Sequence, residues 1–229
     1  MKGLYILGVL VLLLASLLYF ALKETHTDLT RQYGFLRTTV EEMEAQLKKV
    51  MEPLKRLRSE KYTIRLDKDF NRLRGRVQAA DKRLDAALHS IEHIDDLTRD
   101  VTSRSLASMR QEMDVLLVDI TTFTSRVRTI HDYVVTSIPL SEKINGLMQA
   151  CQSRVAARER TGAPYSPEQL DKVEKVIENS QKILKQSRET LNWIWQDLEQ
   201  GRTYADRMTG DMQKCIPSLE TLLKDLEEG

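Results

Sequence analysis

The chain has 229 residues, 41% of them hydrophobic and 30% charged, with a formal net charge of +1. That balance excludes a global electrostatic pull toward nucleic acid or an acidic substrate. Five Pro, nine Gly and 6% aromatic residues disfavour a loop-rich design and point to long helices or coiled coil.

Residues 1–3 form a short tail ahead of the most distinctive segment. Leu4 to Leu22 carries no charge, and nine of its nineteen residues are Leu. At ~1.5 Å per residue it spans about 28 Å, one hydrocarbon core, which predicts a single transmembrane helix that contacts membrane lipid. The flank Tyr19-Phe20-Ala21-Leu22-Lys23-Glu24 lacks a small-x-small cleavage site, so the expectation is an uncleaved signal anchor. Lys2 before the Leu-rich run favours an extracytoplasmic or periplasmic body over a cytoplasmic one.

From Lys23 onward the hydrophobic pattern is heptad. Leu36, Val40, Met43, Leu47, Val50, Leu54 and Leu57 alternate steps of four and three, predicting a juxtamembrane coiled-coil stalk over 23–60. A second register runs from Leu66 through Phe70, Leu73, Val77, Ala80, Leu84, Ala87 and Ile91 to Ile94. A third runs from Leu106 to Val155 and takes in Ser137, Ser141 and Cys151. The last runs from Leu170 to Leu226 and takes in Ser180, Ser187, Ile194, Gly201, Ala205 and Cys215, with no charge in any of its seventeen core slots.

Breaks in these registers locate the turns. Thr161-Gly162-Ala163-Pro164-Tyr165-Ser166-Pro167 reads as a hairpin, with Ser166 as N-cap and Pro167 at the first helical position. Such a hairpin sets residue i opposite about 327 − i. Thr98 to Ser105 reads as a stutter or a tight turn, and Pro139 as a kink or restart. Ile216-Pro217 is expected to end the long final helix. The fold expected is therefore all-α: an N-terminal transmembrane helix, a stalk, then an elongated antiparallel helical bundle over 61–229. Its layout is spectrin-like by architectural analogy alone.

Candidate sites are few. His89 and His93 stand at i, i+4, with Glu92 alongside and Asp96 three further on, a spacing able to hold a divalent cation. Both His fall outside the Ala87/Ile91/Ile94 seam, so a solvated polar face is preferred, and no metal or other cofactor is implied. Lys48–Arg76 holds eleven basic and four acidic residues, whereas Asp81–Asp119 holds five basic and nine acidic. Pairing between helices explains this economically, with contact to an anionic surface as the other reading. Cys151 and Cys215 sit in core slots. With 151 opposite 176 on one long helix, Cys215 stands 39 residues (215 minus 176) beyond it, or ~58 Å, far outside disulfide range. With Leu191 at a, Trp195 falls at e and covers the core edge, while Trp193 falls at c and is the candidate partner contact.

No P-loop, dinucleotide turn, Gly-x-Ser-x-Gly elbow or Cys-x-x-Cys pair occurs. The function expected is a single-pass, membrane-anchored, non-catalytic coiled-coil scaffold or adaptor acting through helix–helix contacts or self-association. The alternative is a ligand- or stress-sensing helical bundle that signals through a membrane partner.

Overall fold

A computed structural model describes the backbone of residues 2–56, 60–92, 99–162 and 164–228, and the side chains of 12–56, 61–92, 102–162 and 164–228. Among the described residues the chain is all-helical, with five helices and no strand: α1 Lys2–Arg56, α2 Glu60–Glu92, α3 Arg99–Arg160, α4 Pro167–Gln196 and α5 Leu198–Glu228. These fall into two compact units. The first takes Met1–Ala45 and Arg65–Thr124, the second Gln46–Ile64 and Ser125–Gly229.

The membrane expectation is overturned. Among the described residues no helix is long and apolar enough to cross a membrane. Every eighteen-residue window starting between 12 and 23 takes in Lys23, Glu24 and Asp28, and the side chains of 4–11 lie outside the described residues. Leu22, read as the end of an anchor, is instead 7% exposed and packed in the first unit. The single-pass, signal-anchor and membrane-localised reading is corrected accordingly.

The stalk also dissolves into the fold. The seam of α1 begins at Leu22, fourteen residues before Leu36, and continues through His26, Leu29 and Tyr33, all buried. Antiparallel neighbours hold it: His26 Nε2 donates to the Leu84 carbonyl at 2.9 Å, and Arg74 of α2 faces Glu44 at 4.0 Å. Against α3 the direction is parallel, with the Tyr33 hydroxyl donating to the Met109 carbonyl at 3.1 Å. Helices α2 and α3 are antiparallel through the Phe70–Phe123 rings, 6.4 Å apart, and Arg83–Glu112, 2.6 Å. The first unit is thus an up-down-up three-helix bundle. Opposed directions for α2 and α3 rule out a continuous helix with a stutter at 98–105; residues 93–98 lie outside the described residues.

In the second unit α3 and α4 form the expected hairpin. Gly162 has φ 74°, the left-handed conformation that ends a helix most cheaply in glycine. Ser166 Oγ accepts from the Gln169 backbone N–H at 3.2 Å while Gln169 Oε1 accepts from the Ser166 N–H at 3.0 Å, a reciprocal cap with Pro167 at the first helical position. Tyr133 reaches the Ser187 carbonyl at 2.6 Å, seven residues short of the 194 that a 327 − i pairing gives.

The final helix is two helices. Asp197 alone breaks it, in an extended conformation (φ −140°, ψ 113°). Its N–H donates to the Trp193 carbonyl at 2.9 Å, and its carboxylate caps α5 by accepting from the Glu199 and Gln200 N–H groups, each at 3.0 Å. Helix α5 then returns antiparallel along α4, as Trp193–Tyr204 and Lys172–Asp225 show. Fifteen of the seventeen core slots from Leu170 to Leu226 are buried, leaving Leu170 and Leu198 half-buried. Periodicity saw the seam correctly and missed the reversal because both helices keep one phase. Pro217 does not end α5, nor Pro139 α3: each proline is exposed, and so is the residue four before it whose carbonyl loses its partner.

Candidate interaction site

The charge asymmetry is absorbed in part by the bundle. Arg76, from the basic stretch, pairs with Asp119, from the acidic one, and Arg83 pairs with Glu112. Both pairs are partly exposed, so each is worth about 0.2–1 kcal/mol and acts more on helix register than on stability.

Of the metal candidates, His89 is exposed on α2, while His93 and Asp96 lie outside the described residues. Among the described residues no group of three metal-ligating side chains comes together. The cysteines require a correction. Because α5 turns back at Asp197, the ~58 Å separation along one helix does not exist: Cys151 and Cys215 belong to one core cluster. Both are free and buried. Cys151 Sγ stands 4.0 Å from the Leu219 carbonyl and Cys215 Sγ 3.1 Å from Ser180 Oγ. Burial pushes the Cys151 thiol up, away from its reactive thiolate.

The tryptophans divide as their heptad positions imply. Trp195 is buried, its ring 6.4 Å from that of Tyr62 and under the Arg126 guanidinium at 5.1 Å. Trp193 is 41% exposed and lies against Tyr204 with ring centroids 5.8 Å apart.

Between the α1–α2 ends, α3 and α4 of the second unit lies a groove of about 1060 Å³, bordered by Trp193 and Tyr62. Its origin is visible in the seam. Ser137, Ser141 and Ser187 occupy heptad core slots and also line the groove, so small hydroxyl residues stand where Leu would close the packing. The heptad registers took in these serines simply as core slots. The useful signal was their clustering on facing helices.

A polar layer adjoins the groove. Tyr133, Ser137, Ser187 and Thr190 are all buried. The Tyr133 hydroxyl donates to the Ser187 carbonyl, Ser187 Oγ to the Leu184 carbonyl and Thr190 Oγ1 to the Gln186 carbonyl. Ser137 Oγ is buried without a hydrogen bond. Burial raises the Tyr133 phenol above its ordinary value, and burial, with Glu112 nearby, raises that of Tyr33. The neutral phenols are the folded forms, so their contribution is complete below pH about 10 and lost as pH rises beyond it. Urea unfolding should therefore show stability falling above pH about 10, with a shallower fall in Tyr133→Phe. An unchanged slope in that variant would exclude Tyr133 as a source.

No family model, curated protein or solved structure matches this chain.

Proposed function

We propose that the chain is a non-catalytic helical scaffold or adaptor, acting through helix–helix contacts with protein partners, a second copy of itself among them. The observation that supports this reading most is the apolar face left on α3 once the first unit's seam has closed. Met113, Leu116 and Ile120 turn inward, whereas Val115, Leu117 and Val118 are 50%, 45% and 64% exposed. Singly exposed apolar residues are ordinary, but Val115 and Val118 stand side by side on the outward face, with Leu117 on its flank. Val115 and Val118 also have the i, i+3 spacing by which a helix anchors in a partner's groove. The basic stretch 48–76 is a weaker candidate surface, since Arg74 and Arg76 already face acids within the fold.

Light scattering of the full chain tests this. The expected result is a mass above 26.5 kDa that grows with concentration and returns to 26.5 kDa in a Val115→Glu, Val118→Glu double variant. A monomer at every concentration, with crosslinked partners unaffected by the double substitution, would remove the support for the proposal.

A further inference from the structure

The groove in the second unit departs from most of the seam. Elsewhere most slots carry Leu, Ile, Val, Met or Phe, and the small residues among them, such as Ala80, Ala87, Ser180, Gly201 and Ala205, are buried in packed contacts. Here three slots on two facing helices carry serine, and one hydroxyl, Ser137 Oγ, is buried without a hydrogen bond while its residue is 2% exposed. A buried hydroxyl without a partner and a seam left unfilled both cost stability. A packed core has no use for that combination. A binding site does, because a ligand supplies the missing volume.

The lining fixes the ligand's chemistry. Arg56, Lys61 and Arg188 border the groove, against Glu142 and Glu189, for a net charge of +1 among them (three minus two). Neither Arg56 nor Arg188 has an ion-pair partner among the described residues. Trp193 and Tyr62 add aromatic surface on the same groove, and Trp193 keeps 41% of its surface open. Cations with free donors select a carboxylate, sulfonate or phosphate, while aromatic walls select an apolar or aromatic body. The groove's volume is that of a site for one small molecule.

We infer that this groove binds a small amphipathic organic anion, with the acidic group at Arg188, Lys61 and Arg56, the apolar body along Trp193, and Ser137 beneath it. The scaffold reading is independent of this site, which lies in the other unit from Val115 and Val118.

The test uses 8-anilinonaphthalene-1-sulfonate, an aromatic sulfonate, as the probe on the full chain. The expected result is one saturable site and a melting temperature that rises with probe concentration, since a ligand of the native state stabilises it. Ser137→Leu fills the groove floor, and Arg188→Glu reverses a wall charge. Each should weaken binding at least about tenfold, equivalent to about 1.4 kcal/mol. Arg110→Glu, in the first unit, should leave binding unchanged. Should Ser137→Leu fail to fold by circular dichroism, Arg188→Glu and Lys61→Glu carry the test alone. Probe binding that does not saturate, that lowers the melting temperature, or that survives the wall-charge reversals overturns the inference.

Discussion

Gly201→Ala is expected to destabilise the second unit by about 3 kcal/mol, the upper end for forcing extra atoms into a packed contact. A Cβ at Gly201 would overlap Ile194 Cα and stand 2.6 Å from its nitrogen and 3.0 Å from the Trp193 carbonyl carbon. These are backbone atoms on the facing helix, so no rotamer change relieves the clash. Helix propensity pulls the other way, since alanine is favoured over glycine by about 0.8–1 kcal/mol. The clash wins because the Asp197 junction leaves α5 no freedom to withdraw. Gly146→Ala supplies the control, because a Cβ there meets nothing within 4 Å. It should be neutral or stabilising by up to about 1 kcal/mol. Urea midpoints for the two variants check the pair, and a Gly201→Ala as stable as the parent would refute the close approach.

Tyr33→Ala should cost about 3–5 kcal/mol in the first unit, in the range for deleting a large buried aromatic side chain. Tyr33 is fully buried, and its hydroxyl ties α1 to the Met109 carbonyl of α3. Were 23–60 a stalk apart from the bundle, the same substitution would leave α2 and α3 unaffected. Loss of cooperative unfolding, or a fall of the expected size monitored by circular dichroism, marks α1 as a bundle member. A change below about 0.5 kcal/mol, the level of an ordinary surface substitution, would return it to the status of a stalk.

Much of the core was legible because heptad spacing is a direct consequence of helix geometry. Every described residue from Leu36 to Leu54 and from Leu66 to Ile91 in the first two registers is buried. The hairpin at Ser166-Pro167 was readable for a similar reason: a cap has local chemistry that does not depend on packing. What failed was anything that leaves the period intact. The reversal at Asp197 keeps phase across α4 and α5, so seventeen slots read as one rod, and the positions of Cys151 and Cys215 went wrong with it. The apolar run at 4–22 was read by composition, and composition does not show that Leu22 closes against neighbouring helices. His26 hid the start of the α1 seam, because a polar residue in a core slot breaks the pattern even when a carbonyl satisfies it. The groove was missed since serines in a seam look like weak core, and only their placement on facing helices turns them into a volume.

The one-residue joint at Asp197 also constrains the length of the chain. Each added or deleted residue turns everything after it by about 100° about the helix axis. One deletion would swing Gly201, Ala205 and Met208 off the α4 interface and bring neighbours such as Arg202 and Asp206 toward it. Many single substitutions on the outer face of this hairpin change little, yet the spacing between Ile194 and Gly201 is a fixed count. The α4–α5 segment is thus more sensitive to insertion and deletion than to exchange of one side chain for another.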